Sequence, residues 1–283
     1  MKKIKIDAHA KINLSLDVLK RREDGYHELE MIMQQLALKD VVTIEERASG
    51  FTIDSNSREI PLDNSNLVYK AYNIIAEKFN IKKGINIYIE KNIPVAGGLA
   101  GGSTDAAAVL KGLNNLWELN LSQEQLMDIG LRIGADVPYC IMGGTALAEG
   151  IGERLTKLNS FSDRHILIAN PGFNISTAYV YNNLKLDKIT DRPQTKALLR
   201  HIENGDTKLL AKEMKNVLET VTIKENPILN KIKEQMLVYG ALGSLMSGSG
   251  PTIFGIFDAP EDLAKCEENL KHSIKTVLST KTV

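Results

Sequence analysis

A run of glycines directly before a helix carries the clearest sign of chemistry in this sequence. The segment IPVAGGLAGGSTDAAAVL, residues 93–110, contains Gly97, Gly98, Gly101 and Gly102. Glycine loses more backbone freedom on folding than other residues, so such a run is expected where backbone approaches a ligand or adopts positive φ. Both needs arise when amide N–H groups surround an anion at a helix N-terminus. The segment predicts an anion site, and a tight strand-to-helix turn is the alternative.

Two common phosphate-binding loops do not fit these glycines. A P-loop requires GxxxxGK[ST], and no lysine follows Gly101 or Gly102. A dinucleotide-binding fingerprint requires GxGxxG, and the glycines of this segment do not have that spacing. An anion site in this segment is therefore of another type.

Hydrophobic patterns on either side of the glycines predict the elements that position them. Alternating apolar residues from Ile4 to Val18 indicate a strand, and INIYIEK at 85–91 indicates the strand that leads into the glycine segment. VVTIEE at 41–46 and FTIDS at 51–55 are predicted to form a hairpin across Ser49-Gly50. Helices are predicted at 67–79, at 106–117 and from Ser122 to Gly134, the last with Ser122 and Gln125 as a capping box.

The second half of the chain predicts a separate unit of strands and helices. Strands are predicted at 165–170, 241–246, 252–257 and 274–278, with helices from 192 to 239, broken at 226–227, and at 261–273. The order strand, helices, strand, strand, helix, strand is typical of a ferredoxin-like sandwich. We therefore predict an α+β fold with two domains, residues 1–160 and residues 161–283.

Composition and charge argue against several classes of function. The 283 residues carry 35 basic and 35 acidic side chains, so no net charge attracts nucleic acid or an anionic membrane. No apolar run approaches the ~18 residues of a membrane span, and the N-terminus lacks the apolar block of a signal peptide. Cys140 and Cys266 form no metal-ligand spacing and suit a reducing compartment. We expect a cytoplasmic protein that binds neither nucleic acid nor membrane.

Three separated segments, taken together, resemble a known family. They are AKINLSLDVLKRREDGYHEL at 10–29, PVAGGLAGGSTDAA at 94–107 and SLMSGSGPTIF at 244–254. The combination resembles the GHMP kinases, the superfamily of galactokinase, homoserine kinase and mevalonate kinase. The residues that fill its phosphate-loop pattern are Pro94, Gly98, Leu99, Ala100, Gly101, Ser103, Asp105 and Ala106.

A narrower signature lies in AKINL at 10–14, DGYH at 24–27 and GADVPYCIMGGTALAEGIGE at 134–153. These segments resemble the 4-diphosphocytidyl-2-C-methyl-D-erythritol kinases, whereas homoserine and mevalonate kinases differ at both places. The resemblance implies ATP and Mg²⁺ as cofactors and phosphorylation of the 2-hydroxyl of CDP-methylerythritol by a monomer or weak homodimer. It also implies an N-terminal α/β domain like one in ribosomal proteins, a C-terminal ferredoxin-like domain and an active site in the cleft between them.

The resemblance assigns the chemistry to two residues that would otherwise have ordinary structural roles. An isolated Asp after a helix, such as Asp136, is usually a cap, and a Lys in a strand, such as Lys11, usually faces solvent. The resemblance makes Asp136 the base that accepts the proton of the substrate hydroxyl. It places Lys11 beside Asp136, where the ammonium orients the hydroxyl and neutralises charge on the phosphoryl group.

The resemblance also implies which residues bind the two substrates. The nucleotide set is Pro94, Val95, Ala96, Gly97, Gly98, Leu99, Ala100, Gly101, Gly102, Ser103, Thr104, Asn66 and Lys91. The CDP-methylerythritol set is Asn13, Tyr26, His27, Tyr181, Ser247 and Gly248. His27 offers one donor and one acceptor to a pyrimidine edge, and Tyr26 and Tyr181, or Tyr179 in place of Tyr181, are candidates to stack on cytosine. Asp105 is expected to be a helix-start charge or a scaffold of the loop, and no metal ligand is predicted.

Three other interpretations stay open on the sequence alone. The first is another GHMP small-molecule kinase, of the homoserine or mevalonate type. The second is a catalytically silent nucleotide-binding module, which would be expected to lack Lys11 or Asp136. The third is an RNA-associated protein, against which the balanced charge and the missing basic cluster weigh.

Overall fold

The computed structural model describes residues 2–283, which divide into two compact units. The first unit comprises the residues up to Ala10, Leu38–Val95 and Ala100–Gly143. The second comprises Lys11–Ala37, Ala96–Leu99 and Gly144–Val283. Strands β1 (Lys3–Arg21) and β2 (His27–Arg47) each contribute residues to both units. None of the helices within residues 2–283 is long and apolar enough to cross a membrane.

The sheet of the first unit is built around β4 (Gly84–Glu90). The second half of β2 pairs with β4 antiparallel, with Val41 opposite Glu90. On its other side, β4 pairs in parallel with β3 (Phe51–Ser55). Ile85, Ile87 and Ile89 alternate along β4 and are fully buried. The alternation therefore predicts the buried face of this strand, which leads directly into the glycine segment.

The first unit has four helices among its described residues: two begin within about one residue of the predicted start, one begins at Gly101 rather than at residue 106, and the last is not predicted. They are α1 (Leu67–Lys78), α2 (Gly101–Leu116), α3 (Gln123–Leu131) and α4 (Val137–Met142). The Asn66 side chain accepts from the Val68 amide at the start of α1, and Ser122 with Gln125 forms both bonds of a capping box at α3. Residues 104–110 of α2 are all buried, so this helix forms the centre of the unit.

The second unit contains an antiparallel sheet in the strand order β10-β7-β9-β8. Its strands are β7 (His165–Asn170), β8 (Gly243–Met246), β9 (Ile253–Phe257) and β10 (Thr276–Lys281). Its helices are α5 (Thr177–Asn183), α6 (Thr195–Glu203), α7 (Thr207–Glu213), α8 (Glu219–Glu225), α9 (Ile228–Val238) and α10 (Pro260–Lys271). All residues of β9 are buried. This strand order confirms the predicted ferredoxin-like sandwich.

The predicted hairpin of residues 41–46 and 51–55 is wrong. Both segments are strands, but β4 lies between them and pairs with each. The turn at Gly50 is hydrogen-bonded to the start of β4, since the Ile85 amide donates to the Gly50 carbonyl at 2.9 Å. Local turn residues cannot reveal this arrangement, since the strand that separates the two segments comes about thirty residues later in the sequence.

Several short elements are absent from the prediction. The first half of β2 pairs with β5 (Thr145–Gly150), which pairs in turn with β6 (Arg154–Lys157). The β5 sequence TALAEG has small and charged residues in place of the usual β-branched ones. Helices α4 and α5 have six and seven residues and are too short to show a helical period.

Candidate active site

Residues 94–104, which we call the glycine loop, connect β4 to α2 through a backbone of unusual handedness. Ala96, Gly98 and Ala100 have positive φ angles of 54°, 75° and 59°. Ala100 is also the N-cap of α2, and its methyl side chain cannot accept from the first amides of that helix. The Ala100 side chain thus leaves these amides uncapped, and the dipole of the helix gives its N-terminus a positive potential. The anion site expected at this position stays a prediction.

Gly98 of the glycine loop packs closely against Ser247 and Gly250 in the second unit. The Ser247 hydroxyl donates to the Gly98 carbonyl at 3.0 Å. A Cβ built on Gly98 would overlap the Ser247 carbonyl oxygen and lie 3.3 Å from that of Gly250. Only glycine satisfies both the positive φ and this backbone contact.

Replacing Gly98 with Ala is expected to raise the KM for ATP at least about tenfold and to lower the free energy of unfolding by about 2 kcal/mol. Gly205→Ala is the matched control, because Gly205 has a φ of 69° and open space around its Cβ. The control carries the backbone strain without the clash. Steady-state kinetics and urea denaturation measure the two effects, and equal losses in both variants would contradict the role of the contact.

The serine-glycine turn, residues 247–251, is held in shape by buried side chains of the second unit. The Asn216 side-chain amide donates to the carbonyls of Met246 and Gly248, both at 2.8 Å. The Thr222 hydroxyl donates to the Ser249 carbonyl at 3.1 Å. A single NH₂ group thus fixes the backbone on both sides of Ser247, one of the predicted substrate-binding residues.

Lys11 is buried, which rules out the solvent-facing alternative. Lys11 is only 4% exposed, and its ammonium donates to the Asn13 Oδ1 at 2.8 Å. Its backbone amide donates to the Leu99 carbonyl of the glycine loop at 3.2 Å. The ammonium also lies 3.7 Å from the position of a Cβ on Gly248. Lys11 and Asn13 therefore lie beside the serine-glycine turn, as members of one predicted site.

Asp136 occupies the N-cap position of α4 in the first unit. Its side chain makes no capping hydrogen bond to this helix, within which Val137 to Ile141 are all buried. Two contacts position α4. Lys111 of α2 donates to the Cys140 carbonyl at 3.0 Å. Gly130 of α3 packs so closely on Val137 that a Cβ on Gly130 would lie 2.8 Å from the Val137 side chain. The carboxylate is thus placed at the start of a rigid helix without serving as its cap.

A buried cluster, the Asp40–Lys91–Asp105 cluster, lies at the base of the glycine loop in the first unit. The Lys91 ammonium donates to the Asp105 Oδ2 at 2.8 Å and to Asp40. The Asp40 Oδ1 accepts from the amides of Asn92 and Ile93 at 2.6 and 2.8 Å. Burial raises the pKa of Asp105 to about 7, against the lowering effect of Lys91. The cluster joins the residue that follows β4 to the fifth residue of α2, so the expectation of a helix-start charge gives way to a scaffold role for Asp105.

Two residues of the predicted nucleotide set also have structural roles. Asn66 caps α1 and donates through its side-chain amide to the Pro61 carbonyl at 2.8 Å. The Lys91 side chain is 5% exposed and is surrounded by the carboxylates of its cluster. Their contacts with adenine stay predictions.

The aromatic residues of the predicted substrate set lie in the second unit. The rings of His27 and Tyr181 are 5.1 Å apart with an interplanar angle of 33°. Burial, followed by the charge of Arg21, lowers the pKa of His27. Its neutral ring therefore keeps one donor and one acceptor at pH 7. Tyr179 differs, because its hydroxyl donates to Glu225 at 2.8 Å.

The comparison with known proteins bears on both halves of the chain. A family model described as the GHMP kinases N terminal domain matches residues 66–144, and one described as GHMP kinases C terminal matches residues 196–275. The 4-diphosphocytidyl-2-C-methyl-D-erythritol kinase of Acetivibrio thermocellus is 51% identical over 283 residues, which is 100% of both chains. The chain belongs to the 4-diphosphocytidyl-2-C-methyl-D-erythritol kinase family. This membership confirms the resemblance seen in the sequence.

Solved structures agree with the fold of this kinase family. The crystal structure of a 4-(cytidine 5'-diphospho)-2C-methyl-D-erythritol kinase is 31% identical, with a TM-score of 0.85 and coverage of 99% of each chain. The homoserine kinase from Cytophaga hutchinsonii is 22% identical, with a TM-score of 0.79, over 100% of this chain and 95% of the other. The second likeness concerns the fold alone. The predicted α+β GHMP kinase fold is confirmed.

Sequence reasoning missed two groups that shape the kinase-family motifs. Asp40 binds the segment just before the glycine loop, and Asn216 holds the serine-glycine turn, yet each acts on residues at least 30 positions away in the sequence. Neither belongs to a local motif that could have indicated it. Within residues 2–283, no group of three or more His, Cys, Asp or Glu side chains is placed to hold a metal ion.

Proposed function

We propose that this protein transfers the γ-phosphoryl group of ATP to the 2-hydroxyl of 4-CDP-2-C-methyl-D-erythritol, which yields the 2-phosphate and ADP. This reaction belongs to the non-mevalonate, or methylerythritol phosphate, route to isopentenyl diphosphate. The observation that carries the proposal is full-length identity of 51% to a kinase named for this substrate. The positive-φ glycine loop and the N-cap Ala100, whose methyl group leaves the first amides of α2 uncapped, support the binding of a triphosphate.

The nucleotide is assigned to the glycine loop, with Asn66 and Lys91 on the adenine side. Backbone amides and the α2 dipole provide the positive potential that a lysine provides in a P-loop. Ser103 is partly exposed, whereas Thr104 is 2% exposed, so Ser103 is the better hydroxyl donor to phosphate. Mg²⁺ accompanies ATP in this proposal and neutralises part of the triphosphate charge.

The chemistry is assigned to Asp136 and Lys11. Asp136 accepts the proton of the attacking hydroxyl, and its side chain is not used as a cap of α4. Lys11 supplies a buried positive charge beside the serine-glycine turn, where it orients the hydroxyl and stabilises charge on the phosphoryl group. Phosphoryl transfer depends mainly on positioning and electrostatics, so these two groups suffice.

The cytidine diphosphate part of the substrate is assigned to Asn13, Tyr26, His27, Tyr181, Ser247 and Gly248. His27 reads the pyrimidine edge, and Tyr181 rather than Tyr179 stacks on cytosine, because only Tyr181 packs against His27. Tyr26 is 60% exposed and available to cover the other face of the base. We retain residues 1–160 and 161–283 as the two domains, and a cytoplasmic monomer or weak homodimer as the working state.

Tyr181→Ala is expected to raise the KM for CDP-methylerythritol about tenfold to a hundredfold, which corresponds to the loss of one base–aromatic stack. Tyr179→Ala is the matched control from the same helix, and its KM should change less than about threefold. The KM for ATP should stay constant in both variants. A larger effect of Tyr179→Ala would move the stacking role to that residue.

The test of the proposed function is ADP release in the presence of ATP and Mg²⁺ with three alcohols, CDP-methylerythritol, homoserine and mevalonate. Turnover of the first alone supports the proposal. Turnover of homoserine or mevalonate would favour another GHMP small-molecule kinase. No ADP release with any of them would favour a silent nucleotide-binding module.

A further inference from the structure

The Asp40–Lys91–Asp105 cluster contains two carboxyl groups but only one cation. The side chains of Lys91, Asp40 and Asp105 are exposed by only 5%, 0% and 4%. With both carboxyls ionised, the cluster would hold one uncompensated negative charge away from water. Such a charge is strongly unfavourable in the protein interior.

The hydrogen bonds distinguish the two carboxyl groups. Asp40 accepts from three donors, namely two backbone amides and Lys91. Asp105 accepts from Lys91 through Oδ2, whereas its buried Oδ1 has no hydrogen-bond partner among the described residues. A buried carboxylate oxygen without a donor is rare in folded proteins. Protonation would convert Asp105 into a donor and remove the uncompensated charge.

The cluster lies directly behind the start of α2. Asp105 is the fifth residue of α2 and follows immediately after the glycine loop, and the Lys91 ammonium lies 3.3 Å from the position of a Cβ on Gly101. A triphosphate bound at the α2 N-terminus would therefore lie within the electrostatic field of this cluster. An extra negative charge on Asp105 would oppose its binding.

The charged groups around Asp105 come from few elements. Lys91, at the end of β4, and Asp40, on β2, are the ones that act on its ionisation. The charged residues of α1, which packs on α2, are exposed, and they are Lys70, Glu77 and Lys78. α4 contributes Asp136 at its N-cap, and Lys111 of α2 is paired with the Cys140 carbonyl.

We propose that Asp105 is a positioning residue that must carry a proton for the glycine loop to bind a nucleotide triphosphate with full affinity. The proposal rests on the ATP site of the proposed function. Asp105 is neutral below the range near pH 7 in which it titrates and ionised above it. Affinity for ATP therefore falls as the pH rises through this range.

The test is calorimetric titration of the wild-type protein and of Asp105→Asn with MgATP at pH 6 and pH 8.5. Asn is nearly isosteric with the neutral acid and has an NH₂ donor, but it cannot ionise. We expect the wild-type Kd to rise about tenfold more between the two pH values than the Kd of Asp105→Asn. Titration of MgATP itself affects both proteins equally and cancels in this comparison. Asp128→Asn, an exposed change of the same charge on α3, should follow the wild type.

Equal pH dependence in the wild type and Asp105→Asn would overturn the proposal. If the variant fails to fold, the wild-type protein alone can test the proposal. Its calorimetric titration with MgATP at pH 8 is repeated in buffers of different ionisation enthalpy. The dependence of the binding enthalpy on the buffer gives the number of protons taken up when MgATP binds. Uptake beyond that of MgATP's own titration supports the proposal, and its absence overturns it. A wild type that binds no MgATP at either pH would overturn the ATP site itself and, with it, this inference.

Discussion

Replacing Asp136 with Asn is expected to lower kcat by about 10²- to 10⁴-fold, the range of one acid–base contribution. Asn keeps the size and polarity of the side chain but cannot accept the proton of the substrate hydroxyl. The fold should be preserved, because Asn is nearly isosteric with Asp and the contacts of Val137 and Lys111 that pack α4 are unchanged.

The diagnostic feature of Asp136→Asn is the separation of kcat from binding. KM values for both substrates should change less than about threefold, since the lost interaction acts only in the transition state. Asp128→Asn provides the control, because it removes the same charge from an exposed position of the neighbouring helix. A kcat within about threefold of wild type in Asp136→Asn would exclude Asp136 as the base.

Lys11→Met is expected to lower kcat by a comparable 10²- to 10³-fold, the range found when one preorganised electrostatic group is removed. Met has a similar length and fills the same buried space on β1, so the loss should come from the missing charge. Asn13 loses its ammonium partner in this variant, and a moderate rise in the KM for the alcohol substrate is therefore expected as well.

The control for Lys11→Met is Lys5→Met, because Lys5 lies on the same strand and is exposed. Steady-state kinetics should show no change in this control, and thermal unfolding should show that both variants are folded. A folded Lys11→Met protein with full kcat would show that the buried ammonium has only a structural role.

Local signals in the sequence were sufficient for much of the fold. The capping box of Ser122 and Gln125 is a short-range motif, and the structure confirms it. The ferredoxin-like order followed from the alternation of strands and helices after residue 160. These features depend on neighbours within a few residues, which a sequence displays directly.

Features that depend on distant residues were not predictable in this way. β3 pairs in parallel with β4 rather than with β2, the strand that precedes it in the sequence, so the predicted hairpin does not form. Asp40 contacts Lys91, which is 51 positions away, and Asn216 contacts Met246, which is 30 positions away. The roles proposed for Lys11 and Asp136 come from family resemblance, since an isolated Lys or Asp has no distinguishing local pattern.

The main-chain character of the glycine loop has a consequence for inhibitors. The first amides of α2 follow an N-cap whose methyl side chain cannot accept a hydrogen bond, and Gly98 tolerates no side chain against Ser247. A mutation can change a side chain, but it cannot delete an amide except through proline. A compound recognised by these amides would therefore leave few escape mutations that preserve the fold, whereas a compound that relies on Tyr181 or Tyr26 would meet resistance by single substitutions.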